Sequence, residues 1–415
     1  MKTWITYIAA LLMGLATTLL LGDLSLTSSV LSAISGFLIS LSAFVFIPVI
    51  AISFSAGIAS LRKDRENARS FGLNVLWAVV TTAVLSLLAA VLYHFLPVSF
   101  PVTSTAGGSI SSVSSFVSYS GQNALSMLYP VNPFMTLATT SYYILPIVIV
   151  CWIFGLSLNP SSDVIRPAYT VMNSFSEVMY RITRTITVFG YLIVFFCSAD
   201  LFTTLYQEKT VIAAPLFPLY LAAGTGALVL VVLPLLFAFF TGFRRNPYRL
   251  IYRSISAMAI ALVTGNTMAS GPVEVSVARQ NMGIQKRISS TSVIVSKIIA
   301  KGGTAFVASY TLLSLIQATS GNALSFTVAL AVSAATALAS FASSIAVGYE
   351  SVVVATLAIK LLGIELYGAE VALVAFIPLL NGISTMLDSL ISIMSADIVS
   401  VSIGTGAKVV YRDSL

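Results

Sequence analysis

Two lysines and two glycines stand inside an apolar segment, residues 289–316, that would otherwise be long enough to cross a bilayer as one helix. The stretch reads Lys297-Ile-Ile-Ala-Lys301-Gly-Gly303-Thr304. An ammonium group at the bilayer centre costs roughly 2.5–3.5 kcal/mol, and each glycine weakens a helix by about 1 kcal/mol. Membrane proteins keep such a combination where the interrupted backbone is buried or lines a cavity. The sequence therefore predicts a helix that breaks at Lys301, beside a polar site near the middle of the membrane.

The composition of the whole chain indicates the class of protein in which that segment lies. Of 415 residues, 58% are hydrophobic and only 8% are charged, and the mean hydropathy is +0.99, which indicates an all-α polytopic membrane protein. The net charge of +7 offers no long soluble basic face, so we expect the lipid bilayer and not a nucleic acid as a partner. The two cysteines lie in apolar runs, which argues against a disulfide framework or a metal site.

The basic residues indicate the orientation of the chain. They cluster in residues 62–69, 244–253, 279–287 and 408–412, and such clusters favour the cytoplasmic side. The first apolar run is long, has no convincing cleavage site and is followed by further spans, so we interpret it as a transmembrane helix and not as a signal peptide. We therefore expect a multi-pass protein of the cell membrane with both termini in the cytoplasm.

The apolar runs predict a series of spans. Two prolines, Pro130 and Pro133, interrupt the fourth of them, and a Ser/Gly-rich loop, residues 102–120, precedes it on the extracellular side. The spans are expected at about residues 4–21, 30–59, 71–95, 123–137 continuing at 142–158, 168–202, 211–241, 289–316 and 369–403.

Two further stretches contain apolar runs too short to span. Residues 248–284 surround the polar turn 264–272 and carry basic residues at both ends. Residues 323–363 surround a second small polar turn, 340–348, and approach from the opposite side. We interpret both as re-entrant helical hairpins. Inverted repeats with discontinuous helices and a site at the midplane are typical of secondary transporters.

Several short motifs then point to one family. They occur in order over nearly the whole chain: Val131-Asn-Pro-Phe-Met-Thr-Leu-Ala138, Ala261-Leu-Val-Thr264 with Pro272-Val, Val277-Ala-Arg279-Gln-Asn-Met-Gly283, Gly302-Gly303-Thr304-Ala305, Leu338-Ala-Ser340 to Gly348, and Asn381-Gly-Ile383 to Asp388. With these motifs the chain resembles the glutamate transporter homologues, the dicarboxylate/amino acid:cation symporter family.

The resemblance implies an architecture. It implies eight transmembrane helices and two re-entrant hairpins, arranged as inverted repeats in an elevator-type homotrimer. Residues 1–70 and 98–205 would form a static scaffold. Residues 71–97 and 206–415, which include hairpin 1 at about 248–284 and hairpin 2 at about 323–363, would form a transport domain that slides across the membrane with its substrate.

The resemblance also implies a substrate site. Asp388 stands where the family's carboxylate binds the substrate amino group, and the hairpin tips and the last helix supply the other contacts. The implied substrate-binding residues are Thr264, Asn266, Thr267, Thr304, Ser343, Ser344, Ala346, Asp388, Ser392 and Ser395.

The sequence departs from the family at the charged positions. Ile391 stands where the family has the arginine that clamps a substrate carboxylate, which isoleucine cannot do. The family's sodium ligands are also replaced, by Ala300 and Gly302 in the broken helix and by Ser395 and Val399 in the last helix. Sodium prefers oxygen ligands, so several losses together argue against the usual sodium coupling.

Lys301 appears in the same motif in which carboxylates are lost. We therefore hypothesise that its ammonium acts as a tethered cation in place of a bound one. The sequence leaves a second interpretation open, a structural ion pair with Asp388, Asp397 or Glu350. Asp397, Glu350 and Glu274 are the other candidates for coupling, either as proton sites or as parts of a gate.

We expect a secondary active transporter of a small organic solute, an amino acid or a dicarboxylate. Coupling to sodium would be lost or altered, coupling to protons is possible, and no cofactor is implied. Two alternatives stay open: a uniporter or exchanger of the same solutes, and a channel or sensor that keeps the fold. The sequence shows no nucleophile–base pair, phosphate-binding loop or metal cluster, so we do not expect an enzyme.

Overall fold

The structure is a computed structural model that describes residues 2–22, 25–101, 145–207, 215–341, 348–364 and 372–404. Every regular element within these ranges is helical. Seven helices in the described ranges are long and apolar enough to cross a membrane. The fourth predicted span falls mostly within residues 102–144, outside the described ranges, and its described part is the shorter apolar helix Leu145–Ser157.

The described residues of the first half form six α-helices. A π-helical turn, Ile50–Phe54, follows Pro48 and joins the second and third of them into one continuous span, because a proline inside a helix removes a backbone hydrogen bond that the local winding must absorb. The helices are α1 (Thr3–Leu21), α2 (Ser25–Val49), α3 (Ser55–Lys63), α4 (Asn67–Phe95), α5 (Leu145–Ser157) and α6 (Arg166–Gln207).

Small residues allow α1 and α6 to pack closely. Gly14 lies directly against Ser198. The hydroxyl of Tyr7 lies over Gly190 and donates a hydrogen bond to the carbonyl oxygen of Thr187 at 2.7 Å. Contacts of this kind hold helices together in lipid, where apolar side chains gain little from leaving the bilayer.

In the second half, the described residues form nine α-helices. They are α7 (Leu216–Ala227), α8 (Leu233–Thr241), α9 (Pro247–Thr264), α10 (Thr267–Gln280), α11 (Lys286–Ile299), α12 (Gly302–Ser320), α13 (Phe326–Ser340), α14 (Glu350–Leu362) and α15 (Leu373–Ile403). Among the described spans, the pair α11–α12 and the helix α15 are the most deeply buried, whereas α1 and α2 expose most of their surface. The most deeply buried of the described spans therefore lie in this half.

The turn between α9 and α10 is shorter than the sequence suggests. Gly265 ends α9 with a left-handed backbone, φ 54°. Asn266 then caps α10, its Oδ1 accepting from the backbone N–H of Met268 at 2.9 Å. Because this cap starts the helix at Thr267, the predicted turn of residues 264–272 is reduced to two residues, and Pro272 lies inside α10.

Three of the four basic clusters meet at one end of the described structure. Arg287 contacts Asp64 and also Glu66, the latter with 3.2 Å between Nη2 and Oε2. Arg253 donates to the carbonyl oxygen of Asn281 at 2.7 Å. The cluster at residues 408–412 lies outside the described ranges. This gathering of basic loops is what the positive-inside rule expects for loops on one side of a membrane.

Candidate functional site

The broken helix has its new end capped by an acid. Ala300 and Lys301 leave helical geometry, with Lys301 at φ −105° and ψ 34°. The N-terminus of α12 is therefore buried with unpaired N–H groups, a place that stabilises an anion. Asp388 of α15 lies there: Oδ1 accepts from the N–H of Gly303 at 2.7 Å, and Oδ2 accepts from the hydroxyl of Thr304 at 2.6 Å. The predicted break is present, and the acid expected to contact substrate caps it.

The two glycines allow α12 to approach α15 this closely. A Cβ atom on Gly303 would lie 2.7 Å from the carbonyl oxygen of Ser384 and 2.9 Å from Asp388 Oδ1. One on Gly302 would lie 3.1 Å from the Cδ1 of Ile391. Ile391, which the resemblance would place where the family has an arginine, is thus packed against the backbone of the break.

Lys301 forms a buried ion pair with Glu350. Its Nζ lies 3.0 Å from Glu350 Oε1, and each side chain is only 1% exposed. The hydroxyl of Thr267 donates to the same carboxylate oxygen. Of the three acids that the sequence leaves open as partners of Lys301, the structure pairs it with Glu350, the first residue of α14.

Lys297 forms a second buried ion pair, which the sequence analysis did not identify. Its Nζ lies 2.7 Å from Glu274 Oε1 and donates to Ser270 Oγ at 3.0 Å. The other oxygen of Glu274 accepts from the hydroxyl of Ser392 at 2.7 Å. The available signal was the spacing, because lysines four residues apart lie on one side of a helix and can enter the same polar region.

Thr267 connects the two ion pairs. Its carbonyl oxygen accepts from Lys297 Nζ at 2.8 Å, while its hydroxyl donates to Glu350. Because Thr267 begins α10, Glu350 begins α14 and Lys301 lies in the break, both hairpins and the broken helix meet in one buried network.

A small cavity of about 20 Å³ lies beside this network, with Thr267, Lys297, Lys301 and Glu350 in its lining. Within the described part of the chain, the buried Glu350 Oε2 has no hydrogen-bond partner. A space of roughly 10–15 Å³ is enough for one water molecule. The cavity therefore has the size to satisfy Glu350 with a single water.

A larger cavity of about 670 Å³ opens between the hairpin ends and the helices α2 and α6. It brings together two predicted substrate residues, Thr264 and Asn266. Asn381 of α15 also lines the cavity and ties it to the second hairpin, since its side chain accepts from the N–H of Ser351 at 3.3 Å. This is a space of the size that small-molecule sites occupy.

The remaining predicted residues are placed as follows. Ser395 is buried and donates to Asn74 Oδ1 of α4 at 2.6 Å, a polar contact that the sequence did not predict. Asp397 is 5% exposed and interacts electrostatically with Arg245 and Arg253, apart from the two lysines. The predicted residues in the second hairpin turn, Ser343, Ser344 and Ala346, lie outside the described residues.

The charges in the buried network are neutralised from within the protein. Lys297 and Lys301 pair with two acids, and the third acid, Asp388, accepts from N–H and hydroxyl donors. In the described ranges, no group of three or more His, Cys, Asp or Glu side chains is placed to hold a metal ion. The arrangement thus provides fixed, desolvated charges beside a solute-sized cavity.

A comparison with known protein families gives a match. A sequence model described as the sodium:dicarboxylate symporter family matches residues 3–402, which include every helix described above up to α15. No curated protein matches the chain.

Proposed function

The chain belongs to the sodium:dicarboxylate symporter family, and from this premise we propose that it is a secondary transporter whose own lysines replace bound sodium. Its substrate would be a small organic solute, an amino acid or a dicarboxylate. The single observation that carries the proposal is the Lys301–Glu350 ion pair, which is almost completely buried and joins the broken helix to α14.

Electrostatics supports the loss of sodium coupling. A buried carboxylate needs a counter-charge, because its desolvation cost is otherwise several kcal/mol. Glu350 and Glu274 already receive that charge from Lys301 and Lys297. A sodium ion entering the same region would meet two ammonium groups, so the site has no need of the ion and repels it.

The hydrogen-bond network supports movement as a unit. The two hairpins and the broken helix are joined through Thr267, and Asp388 ties α15 to α12. The helix α4 is attached as well, since Trp77 Nε1 donates to the carbonyl oxygen of Ile391 at 3.0 Å. We propose that these elements form the transport domain of an elevator-type homotrimer, with α1–α3, α5 and α6 in the scaffold.

The proposal is tested by uptake into liposomes that contain the purified protein. Alanine, aspartate and succinate would each be supplied outside, in sodium chloride or in choline chloride of equal concentration. We expect saturable uptake or counterflow of at least one solute at the same rate in both salts, because the positive charges of the site belong to the chain.

Other outcomes would correct the proposal in defined ways. Uptake that disappears in choline chloride would retain the family function and reject the tethered cation. Counterflow without net uptake would identify an exchanger. A solute current that does not saturate would identify a channel.

A further inference from the structure

We propose that the corner between α8 and α9, residues 243–253, binds the headgroup of an acidic phospholipid. The corner leads from a membrane span into the first hairpin. The inference goes beyond the proposed transport function and does not depend on it.

The corner carries more positive charge than its neighbours neutralise. Its eleven residues contain no acid and include four arginines, Arg244, Arg245, Arg249 and Arg253. Arg245 and Arg253 interact electrostatically with Asp397 of α15, and Arg249 adds like charge beside them. In the described part of the chain, the exposed side chains of Arg244 and Arg249 form no ion pair or hydrogen bond. Two guanidinium groups of the described structure are therefore available to an anion.

The other basic clusters in the described ranges differ in this respect. The cluster at residues 62–69 contains two acids of its own, Asp64 and Glu66. The three basic side chains of residues 279–287 all pair with acids of other segments. The positive-inside rule explains why all these clusters lie on one side of the membrane, but it does not require arginines without acidic partners.

Aromatic contacts place the corner at the surface of the membrane. Tyr252 packs edge-on against Trp4, with 5.4 Å between the ring centroids. Trp4 lies in the first turn of α1, a helix long and apolar enough to cross the membrane. Tyrosine and tryptophan favour the boundary between hydrocarbon and headgroups. The arginines of the corner therefore lie near the depth of the lipid phosphates.

An apolar track leads from the corner along the surface of α8. Phe243 in the corner is exposed, and so are Leu235 and Phe239, which lie four residues apart on one side of α8. Tyr248 follows the same span, since its hydroxyl donates to the carbonyl oxygen of Leu230 at 3.1 Å. A phospholipid bound here would lay its acyl chains along α8 and place its phosphate at the two unpaired arginines.

The chemistry of the corner favours an acidic lipid over a zwitterionic one. Arginine matches a phosphate group with two parallel hydrogen bonds, and clusters of basic residues directly beside a span are typical of sites for acidic lipids. The choline group of phosphatidylcholine would bring a positive charge to the arginines, whereas phosphatidylglycerol brings the negative phosphate alone. A headgroup held at the start of α9 would fix that end of the first hairpin at the membrane surface.

Native mass spectrometry of the purified protein would compare phosphatidylglycerol and phosphatidylcholine with identical acyl chains. The proteins would be the wild type, Arg244→Gln/Arg249→Gln, and Lys63→Gln/Arg69→Gln, which removes the same charge from the cluster that contains acids. We expect the wild type and this control to prefer phosphatidylglycerol. Each arginine lost from the corner should reduce that preference by about fivefold, the contribution of one basic residue near an acidic membrane surface. Glycerol phosphate, which has no acyl chains, should not displace the lipid at equal concentration.

Four results would contradict the inference. The first is a wild type that binds both lipids equally, a comparison that needs no variant. The second is Arg244→Gln/Arg249→Gln protein that elutes and unfolds like the wild type and keeps the full preference. The third is an equal loss in both double variants, which would show a response to net charge and not a site. The fourth is displacement by glycerol phosphate, which would identify a site for a free phosphate compound. The proposed transport function is tested separately, because no solute is transported in this experiment.

Discussion

Lys301 gains its importance from its ion pair with Glu350 in a buried place. Removing one member of a buried pair costs about 3–5 kcal/mol, because the other charge stays desolvated and unpaired. At this position the cost would fall on Glu350, which holds α14 against the break. The lysine therefore contributes both to the stability of the fold and to the charge balance of the site. Replacing it by a neutral residue, with and without added sodium, separates these two contributions.

We expect Lys301→Met to unfold at a lower temperature than the wild type and to be stabilised by sodium chloride but not by choline chloride. The reason is that a cation binding near Glu350 would stabilise the folded state by mass action. Lys286→Met, which changes a partly exposed lysine paired with Glu177, is the control and should show no such selectivity. Unchanged stability and unchanged uptake in Lys301→Met would rule out the tethered cation.

The sequence predicts some of these residues and not others. The break at Lys301 could be predicted from neighbouring residues alone, because an ammonium group and two glycines within a span disfavour a continuous helix. The partner of Lys301 is 49 residues away, and the choice among three acids depends on how α14 packs.

The tip of the first hairpin depends on a short turn whose geometry sets the position of Thr267. Two asparagines cap neighbouring helices in the same way: Asn246 caps α9 and Asn266 caps α10, each accepting from two backbone N–H groups. Only Asn266 borders the cavity. This repetition gives a matched pair for testing what the tip contributes beyond stability.

We expect Asn266→Ala and Asn246→Ala each to lower the free energy of unfolding by about 1 kcal/mol, the usual value of an N-cap. Only Asn266→Ala should also reduce uptake severalfold, since it loosens the turn that aligns Thr267 with both ion pairs. Thermal unfolding and liposome uptake measure the two effects. An equal loss of uptake in both variants would show that the tip has no special role.

The sequence predicted the helical elements more accurately than their limits. The first hairpin was expected from short apolar runs with basic ends, and the second from short apolar runs around a small polar turn. Pairs of helices occupy both positions. The observed ends of two helices differ from the predicted ends. The Asn266 cap extended α10 over residues that had been assigned to the turn, and α6 continues to Gln207, beyond the predicted end at residue 202.

At the scale of the whole molecule, α6 contacts the end of α10 and the start of α11 through a few polar residues. Glu177 lies 3.0 Å from Arg279 Nη2 and 3.7 Å from Lys286 Nζ. The guanidinium of Arg279 also lies over the ring of Tyr180, 3.6 Å from its centroid. If α6 is static and α10 and α11 move, as we propose, these contacts must break in every transport cycle.

We expect Glu177→Gln to transport severalfold faster than the wild type, because partly exposed ion pairs contribute about 0.2–1 kcal/mol each and here they hold the starting position. The rate should also depend less on ionic strength, since salt screens exposed pairs. Asp163→Asn removes an exposed pair within one segment and should leave the rate unchanged. A slower Glu177→Gln would mean that the contact guides the movement and does not restrain it.

The lysine charges beside Glu350 and Glu274 are part of the covalent chain, and this gives them a property that dissolved ions lack. A carrier that binds dissolved cations loses part of its positive charge when the surrounding solution is diluted. A carrier built in this way would hold the same charge in fresh water and in brine. The electrical work of moving it through a membrane potential would then depend on the amino-acid sequence and not on the ion concentration of the medium.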